Sequence, residues 1–176
     1  MKSNKIIALV VAALMAALTC TATVVIAIPS PIGGYIHPGD GFVILSGVIL
    51  GPFFGGLAAG IGSMLADFIL GYSAYAPITF IVKCLAAIVA ALLFPLFRKK
   101  NRFKAFPLLA ASIAASIIVT CGYFLFEGGL LGLGYGPAFM NVPFNLIQNV
   151  FGIILSALLY PLVTKVPSIR SLMDRT

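Results

Sequence analysis

Charged side chains are scarce in this sequence. Asp and Glu together number 4, Lys and Arg number 11, and charged residues make up 9% of 176 positions, whereas hydrophobic residues make up 61%. A water-soluble domain of this length needs far more polar surface, so the composition excludes that class and indicates an integral membrane protein. The single histidine and the three separated cysteines, Cys20, Cys84 and Cys121, exclude a disulfide framework and show no metal-ligand spacing.

Long apolar runs take up most of the chain. A membrane-spanning helix needs roughly 20 apolar residues, and the second run is shorter because Gly51-Pro52 separates it from the third. We therefore predict a single-domain, all-α integral membrane protein over residues 1–176. Its six transmembrane helices are expected at 6–28, 38–50, 51–71, 75–97, 105–127 and 142–164.

The basic residues predict the orientation of these helices. Lys and Arg occur at 2–5, 98–104 and 165–175, whereas the connections at 29–37, 72–74 and 128–141 contain none. Basic residues near helix ends remain in the cytoplasm. Both termini are thus expected to be cytoplasmic, in a multi-pass protein of the cell membrane. The remaining cation, Lys83, lies inside an apolar run and marks a candidate functional site.

Polar side chains are concentrated in the predicted outer halves of the helices. This distribution predicts a ligand pocket that is open to the outside and closed below. Lys83 has three possible roles: an ion pair with Asp67, a side chain that snorkels to the surface, or a direct ligand contact. For the amide side chains, hydrogen bonding between helices is the alternative to ligand binding. The pocket candidates are Asp67, Lys83, Glu127, Asn141, Asn145, Gln148 and Asn149.

Tyrosines follow the same asymmetry. Tyr35, Tyr72 and Tyr75 fall near the predicted outer face, as do Tyr123 and Tyr135, and only Tyr160 lies at the inner one. An aromatic belt decorates both interfaces, so a one-sided set favours a site that stacks a flat ligand. His37 and Asp40 are expected near the mouth of this site, although Asp40 is also a candidate helix cap.

Small residues form stripes at helical spacing. Ala8, Ala12 and Ala16 recur every four positions in the first helix, and Gly55, Ala59 and Ser63 do so in the third. Such stripes allow helices to approach closely. The first stripe predicts either internal packing or contact with a helix of another protein.

Three segments, 34–45, 50–67 and 75–83, resemble the substrate-binding S components of energy-coupling factor (ECF) vitamin transporters. The resemblance implies a non-enzymatic subunit without a cofactor that binds a water-soluble vitamin near the outer face. It also implies that Ala8, Ala12 and Ala16 dock onto a membrane T subunit, which is driven by two cytoplasmic ATPases. The expected ligand is a small heteroaromatic, pyridoxine-like or a hydroxymethylpyrimidine, with cobalamin, riboflavin and pantothenate left open.

Two other classes are weaker interpretations. An intramembrane enzyme needs a base beside its nucleophile, but Ser63 has no histidine in any predicted span, and His37 lies in a loop. A stand-alone carrier or channel should carry polar residues through the inner halves of its helices or show an internal repeat, and the sequence has neither.

Overall fold

The computed structural model describes residues 2–31, 33–100 and 105–174. Almost all of this part is helical, and a short β-hairpin follows the first helix. A π-helical turn, Phe126–Leu130, continues directly from α4. The other elements are α1 Lys2–Val25, β1 Ile28–Pro29, β2 Tyr35–Ile36, α2 Asp40–Leu70, α3 Ala76–Lys100, α4 Phe106–Leu125, α5 Tyr135–Val163 and α6 Pro167–Met173.

Within the described ranges, the five helices α1 to α5 are long and apolar enough to cross a membrane. The predicted all-helical membrane architecture is confirmed at this level. The predicted connection at 128–141 is wrong in its extent, because the π-helical turn continues to Leu130 and α5 begins at Tyr135. The glycines in this stretch suggested a long loop, but Gly136 has a helical backbone that leaves only a short connection.

Helix α2 reverses direction near its middle. Gly51 has φ 76° and ψ −176°, which is not helical. A Cβ atom added to Gly55 would lie only 2.4 Å from the carbonyl oxygen of Ser46, although nine residues of continuous helix would separate these positions by about 13 Å. The parts 40–50 and 52–70 therefore fold back on each other. They correspond to the segments 38–50 and 51–71, which the sequence predicted as two separate helices.

Helix α1 packs against the second part of α2. A Cβ atom on Gly62 would lie 2.4 Å from the Ala16 carbonyl oxygen, so the two backbones are in close contact. Ala8 and Ala12 are buried, and Ala16 is half-buried. The structure thus uses this face of α1 for internal packing, one of the two alternatives that the spacing left open, and docking of Ala8, Ala12 and Ala16 onto a T subunit stays a prediction.

This packing predicts opposite outcomes for two neighbouring alanines. Ala12→Leu adds three carbons to the closely packed α1–α2 contact and is expected to lower the free energy of unfolding by about 1–3 kcal/mol. Ala13 is exposed on the other side of α1, so Ala13→Leu should leave the unfolding temperature unchanged. Thermal unfolding of both variants in detergent makes the comparison, and equal unfolding temperatures would contradict the packing.

Candidate ligand-binding site

A small cavity lies at the end of the helix bundle opposite the 98–100 basic cluster. The β-hairpin, the end of α2 and the connection that follows it, the end of α4 with the π-helical turn, and the first half of α5 surround it. Its free volume is about 30 Å³, roughly the space of one water molecule. We call this end of the helix bundle the cavity end. Its polar and aromatic lining residues are Ser30, Tyr35, Asp67, Tyr75, Tyr123, Glu127, Asn141, Phe144, Asn145 and Gln148.

The β-hairpin closes the cavity and is held there by Asn141. Its strands pair Ile28 with Ile36, and Ser30 Oγ donates a 2.8 Å hydrogen bond to Asn141 Oδ1. Asn141 Nδ2 in turn donates to Glu127 Oε1 at 2.8 Å. One amide side chain on α5 thus links the hairpin to the π-helical turn, and movement of the hairpin must break these bonds.

Three tyrosine rings pack together at the hairpin. Tyr35 donates a 2.5 Å hydrogen bond from its hydroxyl to Asp67 Oδ1. The ring of Tyr72 packs behind it at a centroid distance of 4.9 Å, and the Tyr75 ring meets that of Tyr72 edge-on at 6.2 Å. Such geometry rigidifies the wall of the cavity through aromatic contacts. Tyr35 and Tyr75 face the cavity, whereas Tyr72 supports them.

Below the cavity, Lys83 is paired with Asp40. Its Nζ atom lies 2.5 Å from Asp40 Oδ1, and the Lys83 side chain is fully buried. Gln148 Nε2 donates to the second Asp40 oxygen at 2.8 Å. The alternatives of an ion pair with Asp67 and of snorkelling are therefore wrong. Asp40 is not a helix cap either, since Gly39 occupies the N-cap position without a side-chain bond.

Three buried polar atoms around the cavity lack a hydrogen-bond partner among the described residues. They are Asp67 Oδ2, Glu127 Oε2 and Asn145 Nδ2. A buried polar atom that makes no hydrogen bond costs about 1–3 kcal/mol, so each such atom calls for a partner such as a ligand, an ion or an ordered water. Two acceptors and one donor on residues that line one cavity make it the candidate binding site for a polar ligand.

Comparison with known proteins gives this site its context. The family of ECF-type riboflavin transporter S components matches residues 3–165 of the chain. The chain belongs to this family. A protein from Pyrococcus woesei, described as an uncharacterized protein in gap 3'region, is 31% identical over 135 residues, which cover 76% of this chain and 85% of that protein. The resemblance seen in the sequence is confirmed.

This S component is thus a membrane-embedded, substrate-binding subunit of an ECF transporter, a class that works together with a T subunit and ATPase subunits. Transport by such an assembly requires a ligand site within the S component. The cavity end is the candidate for it, because the unpartnered polar atoms lie there on residues of the hairpin side and of the helices.

The predicted site residues divide into three groups. The largest group lines the cavity: Tyr35, Asp67, Tyr75, Glu127, Asn141, Asn145 and Gln148. Asp40 and Lys83 lie beneath it, joined to it through Gln148. His37, Tyr72 and Asn149 do not line the cavity. Asn149 instead donates to Ser116 O at 3.1 Å and to Thr120 Oγ1 at 2.8 Å, which ties α5 to α4.

Sequence reasoning did not assign Ser30, Gly34, Ile36 or Phe144 to the lining, and it placed Tyr123 only in the one-sided set of tyrosines. Ser30 lies in the first connection, and its role arises only when the hairpin brings it to Asn141. Phe144 directly precedes Asn145, and its apolar side chain carried no signal within an apolar segment. Tyr123 precedes Glu127 by one helical turn, and this spacing would have placed the two on the same face.

His37 makes local contacts that predict pH-dependent stability. Its Nδ1 atom accepts a 3.1 Å bond from the Gly39 amide and lies 3.1 Å from Thr23 Oγ1. Burial lowers the pKa of His37 to about 4. The unfolded chain binds a proton on His37 near pH 6.5, whereas the folded protein binds it only near pH 4. Stability should therefore fall as the pH drops from about 6.5 to 4, by at most about 1.4 kcal/mol per pH unit.

His37→Asn is the matched control, since its side-chain oxygen still accepts from the Gly39 amide but does not titrate. Thermal unfolding between pH 7.5 and 4.5 should show a weaker pH dependence in this variant than in the wild type. Identical slopes would show that His37 does not control the acid sensitivity.

Proposed function

We propose that this S component captures riboflavin at the cavity end and delivers it through an ECF transporter of the cell membrane. The observation that carries the proposal is the set of three unpartnered polar atoms around an aromatic-walled cavity. The family description favours riboflavin, so riboflavin replaces the pyridoxine-like or pyrimidine ligand expected from the sequence.

Riboflavin carries hydrogen-bonding groups that complement the unpartnered atoms of this cavity. Its ribityl chain carries hydroxyl donors, which suit the free oxygens of Asp67 and Glu127. Its flat ring carries carbonyl acceptors, which suit Asn145 Nδ2, and apolar faces, which suit Tyr35 and Tyr75. A ligand carboxylate would instead meet two protein carboxylates, which argues against pantothenate.

The present cavity volume of about 30 Å³ requires the site to enlarge before a vitamin fits. The hairpin is the element to move, because few side-chain hydrogen bonds hold it: Asn141 to Ser30 and to the Gly33 carbonyl, and Tyr35 to Asp67. The same small volume favours a second candidate, a compact heteroaromatic such as pyridoxine or hydroxymethylpyrimidine, which needs less movement.

Flavin fluorescence tests the proposal directly. Titration of riboflavin with the purified protein should quench flavin emission as the ring stacks on tyrosine, and a tenfold excess of pyridoxine or hydroxymethylpyrimidine should not reverse it. Uptake of riboflavin by cells that also produce the T and ATPase subunits should depend on this chain. Absence of quenching, combined with binding of either smaller compound by calorimetry, would assign the second candidate.

The proposal includes six membrane crossings, with the two parts of α2 each crossing once and both termini in the cytoplasm. In a background without Cys20, Cys84 and Cys121, Lys99→Cys should be labelled only from the cytoplasm and Gly136→Cys only from outside. Gly136 has open space around its Cα and Lys99 is exposed, so both changes are tolerated. Labelling of both positions from the same side would contradict this orientation.

A further inference from the structure

An apolar groove opens between α4 and α5 at the opposite end of the bundle from the ligand cavity. Its free volume is about 590 Å³, and its apolar lining includes Leu108, Leu109, Ile153, Ala157 and Pro161. Both helices are long and apolar enough to span a membrane. Leu109 at its rim is about half exposed, so the groove is open to the hydrocarbon layer when both helices cross the membrane.

A polar pocket of about 210 Å³ adjoins this groove. Arg98, Arg170 and Asp174 line it, and it shares Tyr160 and Thr164 with the groove. Arg98 Nη2 lies 3.4 Å from Asp174 Oδ1, and both side chains are about half exposed. A solvent-exposed pair of this kind is weak, so Arg98 is free to turn to a stronger anion, and the three charged groups carry a net positive charge.

We propose that the groove and the pocket together hold one anionic phospholipid of the adjacent leaflet. One acyl chain lies in the α4–α5 groove, and the phosphate lies between Arg98 and Arg170. Basic pockets between transmembrane helices at the cytoplasmic side bind anionic headgroups in this way.

The occupant must satisfy both halves of the site. A free phosphate ion leaves the apolar groove unexplained, and a neutral lipid leaves the arginine pair unexplained. Tyr160 and Thr164 stand where the two halves meet, at the depth of the glycerol ester groups of a lipid whose phosphate contacts the arginines. One amphipathic anion therefore accounts for the continuity of the two cavities.

The absence of tryptophan in the chain permits a site-specific test. Leu109 lines the groove and is about half exposed, so Leu109→Trp places a single fluorophore at its rim. The whole protein is reconstituted into vesicles that contain brominated phosphatidylglycerol or brominated phosphatidylcholine, whose bromines quench tryptophan on contact. Leu9→Trp, on an exposed position of α1, is the matched control.

The relative binding constant of phosphatidylglycerol at Leu109→Trp, measured by quenching, should be about fivefold higher than that of phosphatidylcholine. This is roughly the contribution of one net cationic side chain near an anionic lipid surface. At Leu9→Trp the two lipids should quench equally. Arg98→Gln with Arg170→Gln, added to Leu109→Trp, should abolish the preference, whereas Lys5→Gln should leave it unchanged.

Three results would overturn the proposal. Equal quenching by both lipids at Leu109→Trp would make the groove a surface for any lipid. No quenching by either would show that protein, such as a partner helix, covers it. A preference that persists without the two arginines would place the phosphate elsewhere.

Discussion

Lys83→Met is expected to lower the free energy of unfolding by about 3–5 kcal/mol, because removal of one partner leaves the other buried charge uncompensated. Asp40 is 3% exposed, and Gln148 would be its one remaining side-chain hydrogen-bond partner among the described residues. The ammonium also lies 5.3 Å from the centroid of the Tyr123 ring, a contact that the variant loses as well. Equilibrium unfolding in mixed detergent measures the effect.

Two double variants identify the partner of Lys83. Lys83→Met with Asp40→Asn removes both charges of the observed pair and should recover most of the lost stability. Lys83→Met with Asp67→Asn removes a carboxylate that hydrogen-bonds to Tyr35 and should recover little. Recovery by the Asp67 variant alone would mean that the arrangement in this structure is wrong.

Sequence reasoning considered Asp67, beside snorkelling and ligand contact, as the partner of Lys83 and overlooked Asp40, because the reversal of α2 was not foreseen. Asp67 precedes Lys83 along the chain by a short connection, so proximity in sequence favoured it. Gly51 folds the two parts of α2 together, which brings Asp40 next to α3. The break at Gly51-Pro52 was visible in the sequence, but the packing that decides between two carboxylates was not.

The helices themselves were predictable because their length and basic flanks depend on the membrane rather than on tertiary contacts. Whether the alanine face of α1 packs internally or against another protein was not predictable from the sequence. In a helix whose lipid-facing side is as apolar as its packed side, hydrophobic periodicity does not distinguish the two. Ala12 and Ala13 are chemically identical, and only the close contact of Ala16 with Gly62 shows which side is internal.

The amide side chains of α5 also show that spacing in the sequence predicts a shared face but not the partners of each residue. Asn145, Gln148 and Asn149 share one face, as their spacing predicted, and all are buried. Their partners differ: Gln148 bonds Asp40, Asn149 bonds α4, and Asn145 Nδ2 has no partner in the part of the chain that the structure describes. Spacing located the face, and the neighbouring helices determine which amide is left for a ligand.

Asn145→Leu is expected to weaken riboflavin binding by about 10- to 100-fold, the loss of a buried hydrogen bond to the ligand. The stability of the ligand-free protein should stay the same or rise, because the variant removes a buried donor that makes no hydrogen bond. Flavin quenching measures the affinity, and thermal unfolding without ligand measures the stability.

Asn149→Leu, one helical turn further along α5, is the matched control and should behave in the opposite way. It loses two hydrogen bonds from its Nδ2 atom to α4, which should cost about 1–3 kcal/mol of stability, offset in part by removal of the buried Oδ1 atom that has no partner among the described residues. Because Asn149 does not line the cavity, its affinity for riboflavin should stay within about threefold of the wild type. If both variants lose stability and affinity together, Asn145 acts in helix packing, and the ligand is held by other residues of the cavity.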